Sequence, residues 1–415
     1  MERSLIDKVA KNLFFRTLSQ VTVGCIELVY RREAHFFGDP QSDLRATIAV
    51  ESDGFFRRAV FGGDVGLGES YMEGEWTSPD LVSVVRLAVR NLAVLERSGT
   101  LSSALSQLAN VWNHRQRSNT VEGSRSNISH HYDLGNDFYR LFLDPTMAYS
   151  CAYFSEPGQD LEKAQTAKFD RICQKLDLSS DDRILEIGTG WGGFAIHAAR
   201  HYGCHVTTTT ISARQYEYAV NWVNALDLGH RITLLKADYR TLEGSFDKIV
   251  SIEMFEAVGF RFYDDFFARC NALLRPGGRM LLQTITMNET RFEGYLKSCD
   301  WTQKYIFPGA ELASFSEVLK SIARCTNLSM TASEDIGMHY FHTLNAWRDR
   351  FHASRDRVRK LGFDERFLRM WDYYLAYCAG AFAERYISDV HIELTKDRLG
   401  LAAPVTQALQ GSARR

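Results

Sequence analysis

The chain has 415 residues, 45% of them apolar, and a formal net charge of −2. This length allows two or more domains with sizeable cores, and the near-neutral charge gives no indication of a nucleic-acid partner. No uncharged apolar run reaches the roughly 18 residues of a membrane-spanning helix, so we expect none.

The N-terminal residues and the cysteines indicate the cellular compartment in which the protein is expected. The first residues, "MERSLIDKVAKNLFF", mix acids and bases and lack the basic-then-apolar pattern of a signal peptide. Eight cysteines are scattered without CxxC pairs, which fits a reducing cytoplasm and argues against structural zinc or a disulfide framework. His130, His131 and His339 lack metal-ligand spacing, so we predict no metal.

Residues 1–115 predict a small mixed α+β domain. "TIAVESD" and "RRAVFGG" alternate like strands, and residues 78–95 predict a helix with Ser78 as its cap and Pro79 in its first turn. The polar stretch at 116–128 predicts a linker. Residues 401–415 predict a flexible tail.

From about residue 181, strand-like and helix-like segments alternate. This alternation predicts an open, doubly wound, mostly parallel α/β sheet, with a long helical insertion over about 340–385 and the rest of the domain between residues 129 and 400. The predicted strands are 183–187, 205–210, 231–237, 248–253, 279–286, 328–336 and 387–398.

A glycine loop follows the first of these strands. "ILEIGTGWGGFAIHAA" carries Gly188, Gly190 and Gly193 in GxGxxG spacing and opens a helix. Such glycines allow a tight turn and a close approach of the backbone to a ligand at the helix N-terminus. A glycine-rich turn without a ligand is the plain alternative.

The residues around the loop favour one class of cofactor. A dinucleotide site requires an acid about twenty positions on, but the second strand ends in Thr207–Thr210. Glu186, just before the loop, instead suits the glycine loop of S-adenosylmethionine enzymes, and Asp238 could reach an adenine amino group.

Polar residues also follow the other strands. Thr210, Asp238, Tyr239, Glu253, Glu256 and Gln283 stand at predicted strand ends. Because the carboxyl ends of parallel strands meet at one edge, we expect these side chains to line one crevice. For Glu253 and Glu256, a favourable charge at a helix start is the alternative interpretation.

Several segments together resemble a known family. They are "SHHYDLGNDFYRLFLDPTMAYSCAYF" (129–154), "ILEIGTGWGG", "TISARQ", "VSIEMFEAVG", "QTIT", "KYIFPGAELAS" and "HYFHTL". In this order they resemble the cyclopropane-fatty-acyl-phospholipid synthase family, which includes the mycolic acid cyclopropane synthases. Residues 56–81 resemble the lipid-carrier-like domain of its longer members. The resemblance implies a seven-stranded class I methyltransferase (Rossmann-like) sheet.

The resemblance also implies a reaction. The methyl carbon of S-adenosylmethionine would add to a cis double bond of an unsaturated phospholipid acyl chain, and bicarbonate-assisted deprotonation of the carbocation would close a cyclopropane ring. The expected cofactor-binding residues are Tyr149, Ser150, Glu186, Gly188, Gly190, Gly192, Thr210, Gln215, Asp238 and Tyr239. The expected bicarbonate ligands are Cys151, Glu256, Gln283, the Ile285 backbone and Tyr340.

One position departs from the family pattern. Many members carry histidine where this chain has Gln283, although others also carry glutamine. Glutamine donates and accepts hydrogen bonds but cannot carry a proton. The departure bears on the ring-forming assignment.

Cys151 and the aromatic residues have structural alternatives. We interpret Cys151 as a weak S–H donor to an anion beside the cofactor, and a buried structural thiol is the alternative. Aromatic rings could stabilise a carbocation, but ordinary core packing is equally plausible for each. The residues concerned are Tyr132, Phe138, Tyr149, Tyr153, Phe154, Phe255, Tyr305 and Phe307.

The expected partners are lipids. Residues 347–360 are basic, with Trp347 and Phe351 interleaved, and predict either a solvated helix face or a surface for anionic lipid. We therefore expect a cytoplasmic protein held peripherally on the inner face of the membrane, with a homodimer as the candidate assembly. The alternatives are a methylene or methyl-branched product, a non-catalytic lipid-binding protein and, less favoured, a dinucleotide oxidoreductase.

Overall fold

The computed structural model describes residues 5–97 and 134–397. The described residues form two compact units: a first unit of residues 5–97, 293–308 and 340–387, and a second unit of residues 134–292, 309–339 and 388–397. The predicted linker and tail, together with His130, His131 and Tyr132, lie outside the described residues. The domain boundaries stay predictions.

The helices and strands are labelled in chain order. The helices are α1 (Leu5–Leu18), α2 (Gly54–Met72), α3 (Leu81–Arg90), α4 (Leu92–Arg97), α5 (Asn136–Tyr139), α6 (Leu161–Leu176), α7 (Gly193–Tyr202), α8 (Ala213–Ala225), α9 (Tyr263–Leu273), α10 (Phe292–Tyr295), α11 (Trp301–Tyr305), α12 (Phe315–Cys325), α13 (Gly337–Ala353), α14 (Arg355–Lys360) and α15 (Glu365–Ala383). The strands are β1 (Cys25–Tyr30), β2 (Glu33–Gly38), β3 (Arg45–Val50), β4 (Trp76–Thr77), β5 (Arg183–Ile187), β6 (His205–Thr209), β7 (Ile232–Leu235), β8 (Phe246–Ile252), β9 (Leu274–Met287), β10 (Leu328–Asp335) and β11 (Ile387–Lys396).

The first unit has a four-stranded sheet in the order β2-β1-β3-β4. The predicted strand "RRAVFGG" is wrong, because these residues lie within α2. Phe55 and Phe56, which are almost fully buried, anchor the start of this helix, and Gly63 interrupts it with a positive φ of 59°. A seven-residue alternation is too short to separate a strand from a helix.

The helix predicted at 78–95 is present, but its start and end differ. It begins after Asp80, whose side chain accepts from the Ser83 N–H at 3.0 Å, while Ser78 Oγ accepts from the Asp80 N–H. The cap is therefore Asp80, which is as good a capping residue as serine. The helical insertion over 340–385 is confirmed as α13, α14 and α15.

A buried carboxylate joins elements of the first unit. Asp372 of α15 accepts from the Tyr71 hydroxyl at 2.7 Å and from Arg348 Nε at 2.6 Å, and it lies 2.7 Å from His352 Nε2. Although burial opposes ionisation, these partners hold the pKa of Asp372 well below its ordinary value. The contacts fasten α2, α13 and α15 together.

The second unit confirms the predicted sheet. Its seven strands have the order β10-β11-β9-β8-β5-β6-β7. The pairs β8–β9, β5–β8, β5–β6 and β6–β7 are parallel, and β10–β11 is antiparallel. Successive residues of β5 point to opposite faces of the sheet, and both faces are buried. Leu185 and Ile187 belong to the hydrophobic core on one face, and Ile184 belongs to the core on the other. The largest boundary difference is in β9, which begins at Leu274 rather than residue 279.

Glu186 is a buried carboxyl in the middle of this sheet. It is 2% exposed, and its Oε2 accepts from Thr208 Oγ1 at 2.5 Å. Burial raises the pKa of Glu186 from 4.5 to about 8. The folded chain therefore holds this proton more tightly than the unfolded chain does. The associated stabilisation is complete at low pH and is lost as the pH rises towards 8.

We expect Glu186→Gln to remove this pH dependence. Between about pH 5 and 8, the free energy of unfolding of the parent should fall relative to the variant by up to about 1.4 kcal/mol per pH unit. Urea unfolding at several pH values measures the difference. The exposed Glu217→Gln is the matched control, and parallel pH profiles for parent and Glu186→Gln would contradict the prediction.

Candidate functional site

The glycine loop joins β5 to α7 and leaves space beside one of its residues. Gly188, Gly190 and Gly192 have φ values of 103°, 53° and 98°. A Cβ added at Gly193 would lie 2.7 Å from the Thr146 carbonyl oxygen, whereas one added at Gly190 would meet nothing within 4 Å. Gly193 thus serves helix packing, and the open side of the loop lies at Gly190.

A chain of hydrogen bonds supports the loop from within the sheet. Thr189 Oγ1 lies 2.7 Å from Thr208 Oγ1, which also donates to Glu186. The Gly188 and Thr189 N–H groups both donate to the Thr209 carbonyl, at 3.1 and 3.0 Å. The side chain of Glu186 therefore positions the loop through Thr208. Its direct contact with a cofactor stays a prediction.

The end of β6 holds Gln215 in place. Thr210 Oγ1 donates to Gln215 Oε1 at 3.1 Å and accepts from the Ser212 N–H at the same distance. Ser212 caps α8 by accepting from the Gln215 N–H. Gln215 is 5% exposed. Its orientation is therefore fixed by the chain itself.

The end of β7 carries a paired carboxylate. Asp238 Oδ1 accepts from Arg240 Nε at 2.8 Å and Asp238 Oδ2 accepts from Arg240 Nη2 at 2.7 Å. Tyr239 packs edge-on against Phe266, and burial raises its pKa. Arg240, which the sequence analysis did not single out, therefore binds both oxygens of Asp238. The cofactor contacts of Asp238 and Tyr239 stay predictions.

The segment before α6 presents Tyr149 and Ser150. The Tyr149 ring lies 5.4 Å from that of Tyr139, and Ser150 Oγ accepts from Lys168 Nζ at 2.6 Å. Lys168 is fully buried, and burial lowers its pKa. Lys168 could not be recognised in the sequence, because lysines on amphipathic helices such as α6 are usually solvated.

The next residue, Cys151, makes two kinds of contact. Its thiol is fully buried and lies 3.2 Å from the Ala152 carbonyl oxygen and 3.7 Å from that of Ile336. Its backbone N–H donates to Glu253 Oε1 at 2.7 Å. Cys151 thus contacts the Glu253 carboxylate through its backbone N–H and not through its thiol. The S–H contact with an anion stays a prediction.

Glu256 follows β8 and is buried. Its Oε1 accepts from the Ile285 N–H at 2.6 Å and from Thr284 Oγ1 at 2.9 Å, while its Oε2 has no hydrogen-bond partner among the described residues. Burial and the charge of Glu253 raise the pKa of Glu256 to about 7. A solvated charge at a helix start does not fit these contacts. The buried Oε2 thus lacks the hydrogen bond that a buried carboxyl oxygen ordinarily makes.

Gln283 lies opposite the last residue of β8, where it contacts two carboxyl groups. Its Nε2 donates to Glu253 Oε1 at 2.8 Å and to Asp389 Oδ2 at 2.9 Å. His391 Nε2 lies 3.1 Å from Gln283 Oε1. Gln283, Asp389 and His391 are all 0% exposed. The structure therefore brings the predicted Gln283 together with Glu253 and with two residues of β11.

Asp389 and His391 were missed in the sequence. They alternate along β11, and an alternating polar face ordinarily predicts solvent exposure. Here that face is buried. Burial and the charge of Glu253 raise the pKa of Asp389 well above its ordinary value, and burial lowers the pKa of His391 to about 3.

The remaining predicted residues have structural contacts. Phe138 and Phe255 are fully buried core residues. Tyr153 lies against His339, with ring centroids 4.3 Å apart. Tyr340 belongs to the first unit, where it stacks on Phe382, and its role as an anion ligand stays a prediction.

Comparisons with known proteins identify a family. The family model of mycolic acid cyclopropane synthetase matches residues 119–392. Tuberculostearic acid methyltransferase UfaA1 of Mycobacterium tuberculosis is 38% identical over 344 residues, 81% of this chain and 79% of that protein. Cyclopropane-fatty-acyl-phospholipid synthase of Escherichia coli is 38% identical over 365 residues, 87% of this chain and 90% of that protein.

Solved structures agree with this assignment. Mycolic acid cyclopropane synthase CmaA1 in complex with SAH and CTAB has a TM-score of 0.61 and 32% identity, over 66% of this chain and 98% of that one. Cyclopropane synthase MmaA2 from Mycobacterium tuberculosis has the same TM-score and coverage at 31% identity. The glycine loop and the family match together show that the chain belongs to the mycolic acid cyclopropane synthetase family and is an S-adenosylmethionine-dependent methyltransferase.

Proposed function

We propose that the chain transfers the methyl carbon of S-adenosylmethionine to a cis double bond of an unsaturated phospholipid acyl chain and closes a cyclopropane ring. The observation that carries this proposal is the buried polar cluster at the end of β8, on the same sheet edge as the glycine loop. The Escherichia coli relative named for this reaction matches nearly the whole of both chains.

The loop residues fit the cofactor. The open side at Gly190 gives a ligand access to the backbone, and Thr210 holds Gln215 at the neighbouring strand end. Ser150 accepts a hydrogen bond from the buried Lys168, and Ser150 and the adjacent Tyr149 both belong to the expected set. The bound cofactor supplies an electrophilic methyl group, so no acid is needed to activate it.

The chain must orient a weak nucleophile and exclude water. A carbon–carbon double bond reacts only when it is held in line with the methyl group at high effective concentration. Water would capture the resulting carbocation, so the reacting centre must be dry. The full burial of Cys151, Gln283 and Asp389 supports such a centre at the end of β8.

A base must then remove a proton. Bicarbonate is the base that the resemblance implies, with Cys151, Glu256, Gln283, Ile285 and Tyr340 as its ligands. The unpartnered Oε2 of Glu256 supports a ligand at this position. However, the Ile285 N–H and the Gln283 amide already donate to carboxyl groups of the chain, which favours a base supplied by the protein.

A methylene or methyl-branched product is the second candidate. The tuberculostearic acid methyltransferase relative is as similar to this chain, at 38% identity, as the Escherichia coli synthase. Expression of the protein in a host with unsaturated lipids, followed by mass spectrometry of the host lipids, tests both candidate products. Addition of one CH₂ group supports methyl-carbon transfer, and fragmentation separates a ring from a branch. Unchanged host lipids would refute both candidates.

We further propose peripheral binding to an anionic membrane. No helix in the described residues is long and apolar enough to span a bilayer. Trp347 and Phe351 are 0% exposed, so they are core residues and do not insert into lipid. Arg355 and Arg359 pair with Glu365. Because the two aromatic residues are buried, we propose that residues 347–360 contribute to membrane binding only through the attraction of their exposed basic side chains to anionic lipid.

For the cofactor loop, we expect Gly190→Val to abolish S-adenosylmethionine binding while the fold survives, because the side chain fills the open side of the loop. Calorimetry measures the affinity. The matched control is Gly158→Val, since Gly158 also has a positive φ (77°) and nothing within 4 Å of an added Cβ. Unchanged affinity of Gly190→Val would contradict the cofactor assignment.

If bicarbonate is the base, Glu256→Gln and Tyr340→Phe should each lower turnover about a hundredfold or more, with little change in cofactor affinity. Glutamine can still accept from the Ile285 N–H and Thr284, so the local structure should persist. Cys151→Ser should be milder, because a hydroxyl replaces the thiol donor. Turnover within about twofold of the parent for both main variants would refute their roles, given the size of effect expected.

For membrane binding, we expect the parent to pellet with anionic vesicles at low salt and to release at high salt. Changing Arg355, Arg357 and Arg359 to Glu should weaken this binding and lower turnover on vesicles. Turnover on detergent-dispersed lipid should fall much less.

The control for this experiment is a triple change of exposed basic residues in the second unit, Arg183, Arg200 and Lys236, to Glu. It alters the net charge equally. If the Arg355, Arg357 and Arg359 variant binds vesicles as the parent does, residues 347–360 form only a solvated helix face.

A further inference from the structure

Glu253 accepts hydrogen bonds from two of the residues that are expected to bind an external anion. Its Oε1 accepts from the Cys151 N–H at 2.7 Å and from Gln283 Nε2 at 2.8 Å. The resemblance places Cys151 and Gln283 among the ligands of a bicarbonate ion. A carboxylate oxygen of the chain therefore already receives hydrogen bonds from both residues.

The backbone holds Glu253 in an unfavourable conformation. Its φ is +47°, in the left-handed region, which costs a non-glycine residue about 1–2 kcal/mol. Glycine would adopt this conformation without strain. A functional role of the carboxylate would explain why a strained glutamate is present at this turn.

His391 fixes which end of the Gln283 amide faces the carboxyl groups. The low pKa of His391, about 3, leaves the imidazole neutral, with one N–H. Its Nε2 lies 3.1 Å from Gln283 Oε1, and because an amide oxygen can only accept, the tautomer with its hydrogen on Nε2 fits this contact. Both hydrogens of the Gln283 amide are therefore directed to Glu253 and Asp389.

Asp389 and Glu253 differ in what they can do. Asp389 is 0% exposed, and the charge of Glu253 together with burial keeps Asp389 protonated. Glu253 is partly exposed at the end of β8, and it receives two N–H donors that stabilise a carboxylate. Glu253 is therefore the member of the pair that can meet a substrate.

We propose that Glu253, in place of a bound bicarbonate, is the catalytic base of the reaction, with Gln283, Asp389 and His391 as positioning residues. The inference rests on the proposed methyl transfer. A C–H bond of the transferred methyl group breaks, and its electron pair forms the second carbon–carbon bond at the cationic carbon. The proton passes to the Glu253 carboxylate and leaves to solvent after product release.

The test uses the full chain with S-adenosylmethionine and vesicles of unsaturated phospholipid, in degassed buffer with or without added bicarbonate. The parent should turn over equally in both. Glu253→Gln should lose about a hundredfold or more in turnover, because its amide cannot accept the proton. Cofactor affinity by calorimetry should be unchanged.

A second variant provides chemical rescue. Glu253→Gly relieves the backbone strain, so it should fold, and it frees the Cys151 N–H and the Gln283 amide for an added anion. It should be nearly inactive alone and recover several-fold with added formate or bicarbonate. A merely structural glutamate would show no such recovery. The exposed Glu243→Gln is the matched control and should behave as the parent.

Two results would overturn the inference: a parent that stops without bicarbonate, or Glu253→Gln turnover comparable to that of the parent. Failure of the proposed function is distinguishable, since the parent itself would then leave the phospholipid unmodified under every condition.

Discussion

The amide of Gln283 is the interaction on which the polar interior of the second unit depends. It lies where β8 ends, and it links Glu253 to two residues of β11 through three hydrogen bonds. An uncharged amide can connect two carboxyl groups without placing another ion in a buried site. Removing it would leave buried acceptors without donors, which is more costly than losing the bonds themselves.

The same logic applies at the glycine loop. The side chains of Thr189, Thr208 and Glu186 form hydrogen bonds with one another below the loop. The Thr209 carbonyl accepts hydrogen bonds from two N–H groups of the loop. The polar groups that shape the loop are thus satisfied by the chain. Space for a ligand remains on the other side, at Gly190. A site organised in this way has less conformational freedom to lose on binding.

The sequence predicted the features that repeat along the chain. The strand–helix alternation predicted the parallel part of the sheet, because buried parallel strands are short segments between helices. The count of seven strands came from the family resemblance. The GxGxxG spacing located the loop. In contrast, Lys168, Asp389 and His391 stand in patterns that ordinarily indicate exposed faces, and their burial depends on neighbours distant in sequence. The strand predicted at 57–63 failed because a seven-residue alternation is too short to separate a strand from a helix.

The first unit is built from three separate segments of the chain, and this affects how it folds during synthesis. Residues 5–97 share this unit with 293–308 and 340–387, and Val85 of α3 and Gly68 of α2 lie close against Gly380 and Trp301 respectively. When the N-terminal segment leaves the ribosome, the residues that later cover these helices have not been made. Its apolar surface must remain uncovered until nearly the entire chain is synthesised, a period in which association with chaperones or with other nascent chains is favoured. We therefore expect the N-terminal segment to be a poor choice for expression as an isolated domain.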